Sequence, residues 1–135
     1  MAALTDRAVL IAGATSASGR AAARTLLDAG AHVVATGRDA AKLAPLAELG
    51  AETAALDLTD ETAVRGLVED LHARGTRIDG LLHLVGGWRG GGGLAGQTEE
   101  DYRALEASFT ALRHVSRALD DDLRALWLHE QRQVQ

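Results

Sequence analysis

The chain contains no cysteine, so neither a disulfide framework nor thiolate chemistry is open to it, and a reducing compartment suits it. It has no run of about 18 apolar residues, which excludes a membrane-spanning helix, and the apolar stretch behind Asp6 and Arg7 is too short for a signal peptide. Lysine occurs once, at Lys42, and tyrosine once, at Tyr102. A formal net charge of −5 argues against nucleic acid as partner, because phosphate backbones are held by clustered Lys and Arg. A soluble, cytoplasmic protein with no nucleic-acid or membrane partner is the expectation. At 135 residues the chain fits one domain, large enough to bury about 65 to 70% of its unfolded surface. His72, His83, His114 and His129 stand at no metal-ligand spacing, so each reads as a surface or packing residue and no metal site is expected.

What is present is concentrated in the segment ending at Arg38. Ala8 to Ala12 is a short apolar run that ends at Gly13; Gly19 opens a helical stretch, Gly30 stops it, and His32 to Thr36 is a second apolar strand. Strand, glycine loop, helix and strand in this order read as a dinucleotide-binding unit. Unpaired N–H groups at a helix start favour a phosphate there by about 0.3 to 1 kcal/mol through the dipole. Gly13, Ala17 and Gly19 give a G-x-x-x-G-x-G spacing whose middle glycine is alanine, and Thr15, Ser16 and Ser18 complete the loop. Gly13 serves the tight turn and Gly19 the close packing of helix on strand.

Further along, Asp39 caps a helix running to Leu49, in which Pro45 predicts a kink or a short imperfect turn, and Gly50 ends it. Glu52 to Leu56 is a third strand, Asp60 to Arg74 a helix ended by Gly75, and Gly80 to Val85 a strand apolar enough to be buried on both faces. Strands therefore alternate with helices, which implies a parallel sheet with right-handed crossovers and helices on both faces. The glycine-rich stretch from Gly86 to Gly96 is irregular. Thr98 with Asp101 resembles a capping box for a last helix whose apolar positions include Leu105, Phe109, Leu112, Val115 and Leu119, with Tyr102 expected to pack against the sheet.

In this order the landmarks resemble the short-chain dehydrogenase/reductase family, over residues 8 to about 119. The Gly13, Ala17, Gly19 loop stands where that family holds the pyrophosphate, Gly37-Arg38-Asp39 closes the second strand, Asp57-Leu58-Thr59-Asp60 resembles its adenine loop, and His83-Leu84-Val85-Gly86 falls at its Asn-Asn-Ala-Gly motif with only Gly86 intact. The resemblance implies a Rossmann-like α/β fold, a doubly wound parallel sheet cut to about four strands in the order 3-2-1-4. It implies that Asp57 bonds the adenine amino group and that Val85 and Gly86 pass their backbone beside the cofactor ribose. Read without the family, Asp57 is an ordinary turn or cap residue.

The second strand ends in Thr36, Gly37 and Arg38 where NAD-selective folds place a carboxylate, so NADP(H) is expected over NAD(H). Asp39 either caps the following helix or is the acid of an NAD site shifted by one or two positions. The family's proton relay is a Tyr and Lys four residues apart with a supporting Ser, and this chain cannot supply it, because Tyr102 is followed by Glu106 and Lys42 lies in another helix. Ser108 reads as a plain helix residue. Trp88 and Arg89 fall near where substrate and nicotinamide would meet, or else cover the sheet edge.

No β-branched run follows Leu119, so residues 1–119 read as an incomplete NAD(P)-binding domain and 120–135 as a helical or disordered polar tail of a truncated oxidoreductase. The alternative is a non-catalytic NAD(P)-binding or interaction module. A methyltransferase using S-adenosylmethionine shares the first landmarks but wants an acid where Arg38 stands. The open edge of the fourth strand and the last helix predict self-association or a homo-oligomer.

Overall fold

β1 (Ala8–Ala12) is the apolar run AVLIA, buried throughout, as suits an inner strand of the sheet with a neighbour on either side. The computed structural model describes residues 3–134, so Met1, Ala2 and Gln135, the outer ends of the two segments read from the sequence, lie outside it. After β1 come α1 (Ala17–Asp28), β2 (His32–Gly37), α2 (Ala40–Glu48), β3 (Glu52–Ala55), α3 (Glu61–Ala73), β4 (Gly80–His83), a 3-10 turn at Leu94–Gly96, α4 (Glu99–Ala118) and α5 (Asp120–Gln133). The four strands are parallel in the order β3-β2-β1-β4. Ala8 pairs with His32, Val34 with Glu52 and Val9 with Gly80.

The period of two along the strands divides the core. Ala8, Leu10, Ala12 and Val34 meet Val64, Val68 and Leu71 of α3 and Ala111 and Val115 of α4. Ile11, Val33 and Ala35 turn to the other face, against Ala23 of α1 and Leu43 and Leu46 of α2. Both faces of the sheet are thus covered, the doubly wound arrangement expected. No helix among the described residues is long and apolar enough to cross a membrane.

The helix boundaries follow their caps. Ser16, Asp39, Asp60 and Thr98 accept from the amides of Gly19, Ala41, Ala63 and Asp101, bonds worth about 1 kcal/mol each. The cap at Ser16 starts α1 at Ala17, two residues before the glycine read as its opening. α1, α2 and α3 end alike: the amides of Gly30, Gly50 and Gly75 reach the carbonyls of Leu27, Ala47 and His72, and the next amides reach Leu26, Leu46 and Leu71. α2 runs through Pro45 in one piece rather than breaking. Pro45 is exposed between the buried anchors Leu43 and Leu46, so the missing bond lies on the solvent side.

Three expectations need correction. β4 stops at His83 and is only partly buried, because in this sheet it is an edge strand with β1 as its sole partner among the described residues. The buried face of α4 is Ala111, His114 and Val115, continued by Leu119, whereas Leu105 and Phe109 are exposed. Tyr102 is exposed as well, with the Arg103 guanidinium 5.7 Å from its ring centre instead of the sheet.

α5 is attached through one buried carboxylate. Asp122 accepts from His72 Nε2 at 2.8 Å and from the Ile78 amide at 2.9 Å, with Arg77 Nη1 at 3.6 Å. Leu119 and Leu123 pack beside it against the α3–α4 core. Near the end of the helix Glu130 meets Arg7, on the segment leading into β1.

Candidate functional site

A cleft of about 600 Å³ opens at the carboxyl ends of the strands. Its walls come from the β1–α1 loop (Gly13, Thr15, Ser16), the end of β2 (Gly37, Arg38), the segment after β3 (Leu56 to Thr59), the segment after β4 (Leu84 to Arg89) and one face of α4 from Ala104 to Ala111. Open α/β sheets bind ligands at this place, where the strand order reverses on either side of β1.

The β1–α1 loop is closed by Ser16, whose hydroxyl donates to the Gly13 carbonyl at 3.1 Å and accepts from the Gly19 amide at 3.0 Å. The Ala14 amide donates to Thr36 and the Leu84 amide to Ala12, which draws β1, β2 and β4 together under the loop. Gly13 has φ +85°, and a Cβ there would stand 2.6 Å from the Leu84 carbonyl and 2.7 Å from the Val85 nitrogen. Only a residue without a side chain permits this crossing. A Cβ on Gly19 would lie 2.6 Å from Ala14 Cα, so that glycine serves the close packing of helix on strand. The Ala17 and Ser18 amides have no partner within α1, the usual state of a helix start.

Of the residues singled out from the sequence, Gly13, Thr15, Ser16, Arg38, Asp57, Leu58, Val85 and Gly86 line the cleft. Ala17, Ser18 and Gly19 do not; they stand behind the loop at the start of α1, the first two exposed and Gly19 buried.

At the end of β2 the two neighbouring charges separate. Asp39 Oδ1 accepts from the Ala41 amide at 2.9 Å and caps α2, while Arg38 is exposed and lines the cleft. Across from it, Asp57 Oδ1 accepts from both the hydroxyl and the amide of Thr59, at 2.7 and 2.9 Å. These bonds, with the nearby Arg38 charge, hold the Asp57 carboxyl below its ordinary value of 3.8 despite some desolvation. Asp57 is thus both the turn residue and a cleft residue, with one oxygen taken by the turn.

The opposite wall contains a web that the sequence did not disclose. Ser108 donates its hydroxyl to the Val85 carbonyl at 2.9 Å, and His83 Nε2 lies 3.1 Å from the Ser108 carbonyl. A carbonyl only accepts, so Nε2 carries the proton and Nδ1 is left as a buried acceptor without a partner among the described residues. Gly86, at φ +113°, passes Ser108 so closely that a Cβ would come within 2.9 Å of its hydroxyl oxygen. Ser108 is therefore no plain helix residue: it fixes the backbone at Val85 and Gly86. The one signal available in advance was a small polar residue on a face otherwise built from alanine and leucine.

Burial pushes the His83 imidazole below its ordinary value of 6.5, against the opposing effect of its bond to Ser108. The unfolded chain then binds a proton that the native state refuses, so this stability is complete above 6.5 and declines as the pH falls below it. Urea titrations across the acid range should show the wild type losing stability below that point more steeply than His83→Gln. Parallel profiles for the two proteins would remove the imidazole as the cause.

A family model described as enoyl-(acyl carrier protein) reductase matches residues 13–125. Sulfoacetaldehyde reductase 2 of Chromohalobacter salexigens is 42% identical over 83 residues, which are 58% of this chain and 33% of that protein. Among solved structures, a short-chain dehydrogenase from Streptomyces avermitilis superposes with a TM-score of 0.78 at 30% identity, covering 88% of this chain and 45% of that one. A metagenomic short-chain oxidoreductase in complex with NADP gives a TM-score of 0.77 at 31% identity, over 91% of this chain and 59% of the other. The chain spans about a third of the length of the curated relatives it matches and about half that of the solved structures.

Proposed function

The chain belongs to the short-chain dehydrogenase/reductase family, and from that premise we propose that it holds NADP(H) for an oxidoreductase reaction, as a cofactor-binding half without the catalytic Tyr and Lys. Residues 1–119 are the binding unit in this reading. Gly13, Thr15 and Ser16 form the cleft side of the pyrophosphate cradle, Ala17, Ser18 and Gly19 supply the start of α1 that carries it, Asp57 and Leu58 hold the adenine, and the backbone of Val85 and Gly86 borders the ribose on the nicotinamide side. Gly13 and Gly86 support this reading indirectly: without a Cβ they let the loop after β1 and the segment after β4 pack tightly on Leu84, Val85 and Ser108, which fixes the backbone that borders the cleft.

Hydride donation or acceptance is what such a cofactor supplies when bound. The residues of this chain bind and orient it. Within the 135 residues no Tyr-x-x-x-Lys pair occurs, so they provide no positioned phenol to move the accompanying proton. The apolar exposure of Leu82 on β4 and of Leu105 and Phe109 on α4 supports self-association as part of the same reading.

The observation that carries the choice of NADP(H) is the separation of Arg38 from Asp39, the guanidinium in the cleft and the carboxylate committed to the α2 cap. A planar donor fork suits a 2′-phosphate, and a charge-assisted bond of about 1.5 to 3 kcal/mol gives about ten- to a hundred-fold discrimination. Titration calorimetry is expected to show NADPH bound more tightly than NADH by about that factor, with the preference lost in Arg38→Ala. Equal affinities in the wild type would refute the NADP(H) assignment.

A further inference from the structure

The cleft is a positive region in an acidic protein. Its lining carries Arg38 and Arg89 against Asp57 alone, although the chain as a whole bears a net −5. Arg38 faces Asp57, and the attraction between them contributes to keeping that carboxylate ionised. Arg89 has no hydrogen-bond or ion-pair partner among the described residues, a state shared by Arg24, Arg65, Arg113 and Arg132, but unlike those four it lines the cleft.

Its surroundings within the cleft are largely apolar. The α4 wall of the cleft is Ala104, Leu105, Ala107 and Ala111, which offer no polar side-chain atoms, and the Ser108 hydroxyl already donates to Val85. Donors at this end of the cleft therefore come from Trp88 and Arg89. Glycines stand on both sides of the pair, with positive φ at Gly86 and from Gly90 to Gly93, and a Cβ at Gly87 would meet nothing within 4 Å.

We propose that Arg89 anchors the anionic group of a small carbonyl substrate, one carrying a carboxylate, sulfonate or phosphate at the end remote from the carbonyl. This rests on the cofactor reading above, which puts the nicotinamide beside Val85 and Gly86 and so directs the free space toward Arg89. The rigid guanidinium fork matches a tetrahedral or planar oxyanion through paired hydrogen bonds.

The test uses the full chain with Trp127→Phe, an exposed α5 position, so that Trp88 is the only tryptophan and its fluorescence reports on the cleft. The NADPH-saturated protein is titrated with 2-hydroxyethanesulfonate, with 3-hydroxypropionate and with uncharged 1-propanol. Both anions are expected to shift the emission to saturation and the alcohol is not. Arg89→Gln should weaken the anions at least about tenfold and change NADPH affinity by less than about twofold, as expected for loss of one charge-assisted pair. A comparable loss of NADPH affinity would assign Arg89 to the cofactor phosphates and overturn the proposal. Anion binding that ignores Arg89, or that the alcohol equals, overturns it too. If the wild-type chain takes up no NADPH at all, the cofactor reading fails first and this inference falls with it, a result distinct from intact NADPH binding without an anion effect.

Discussion

Valine at position 13 is expected to lower stability by about 3 kcal/mol or more, enough to reduce the melting temperature by about 10 °C in a chain of this size. The reason lies in the protein itself rather than in the ligand. Gly13 sits at φ +85°, a region that β-branched residues avoid, and its missing Cβ faces the backbone of Leu84 and Val85 at 2.6 to 2.7 Å. Backbone cannot rotate aside as a flexible side chain can. Either β1 and β4 separate at their carboxyl ends or the loop abandons its turn, and both displace Val85 and Gly86 from the cleft. Thermal unfolding followed by circular dichroism decides the matter. A cooperative transition within about 2 °C of wild type would mean that the loop absorbs the side chain and that the crossing is not tight.

Asp122→Ala should cost about 3 kcal/mol and release α5 from the body of the fold. Asp122 is 4% exposed, and its carboxylate serves His72 on α3 and two neighbours on the segment before β4, the Ile78 amide and the Arg77 guanidinium. Its removal orphans the Ile78 amide, which is buried, and costs about 1 to 3 kcal/mol for that group alone. His72 retains some access to water and suffers less, since its side chain is 30% exposed. Asp122→Asn, which keeps the shape and one acceptor oxygen, should be milder. Hydrogen exchange should accelerate across residues 120–133 in the alanine variant while β1 and β2 keep their protection. Unchanged protection of α5 would show that Leu119 and Leu123 hold the helix without the carboxylate.

The alternation of strands and helices was legible because β1 and β2 are nearly continuous apolar runs and because serine, aspartate, threonine and glycine mark the ends of the helices between them. The same local signals exposed Gly13, Arg38 and Asp57, each within a few residues of a strand end. Ser108, His83 and Asp122 were not legible. Their partners lie 23, 25 and 44 to 50 residues away, and nothing short of the folded topology brings those pairs together. The tail shows the same limit: three successive aspartates look like a solvated helix start, yet the third is the buried one. On α4 the largest apolar side chains, Leu105 and Phe109, suggested the inner face, but the close approach to the sheet selects the smaller Ala111 and Val115.

Gly86 and Ser108 occupy what is in effect a single space. A hydroxyl oxygen on one fills the volume that any side chain on the other would require, at 2.9 Å from its first atom. The two positions, 22 residues apart in the chain, are therefore not free to drift independently. A larger residue at 108 removes the hydrogen bond to Val85 and crowds the turn, whereas an alanine at 86 finds room only after 108 has lost its hydroxyl, the Ser108 Cβ itself being 3.5 Å away, and still requires the backbone to leave its left-handed conformation. Substitutions at these sites have an order in which they can be accepted, and a lineage that has replaced one has already constrained what the other can become.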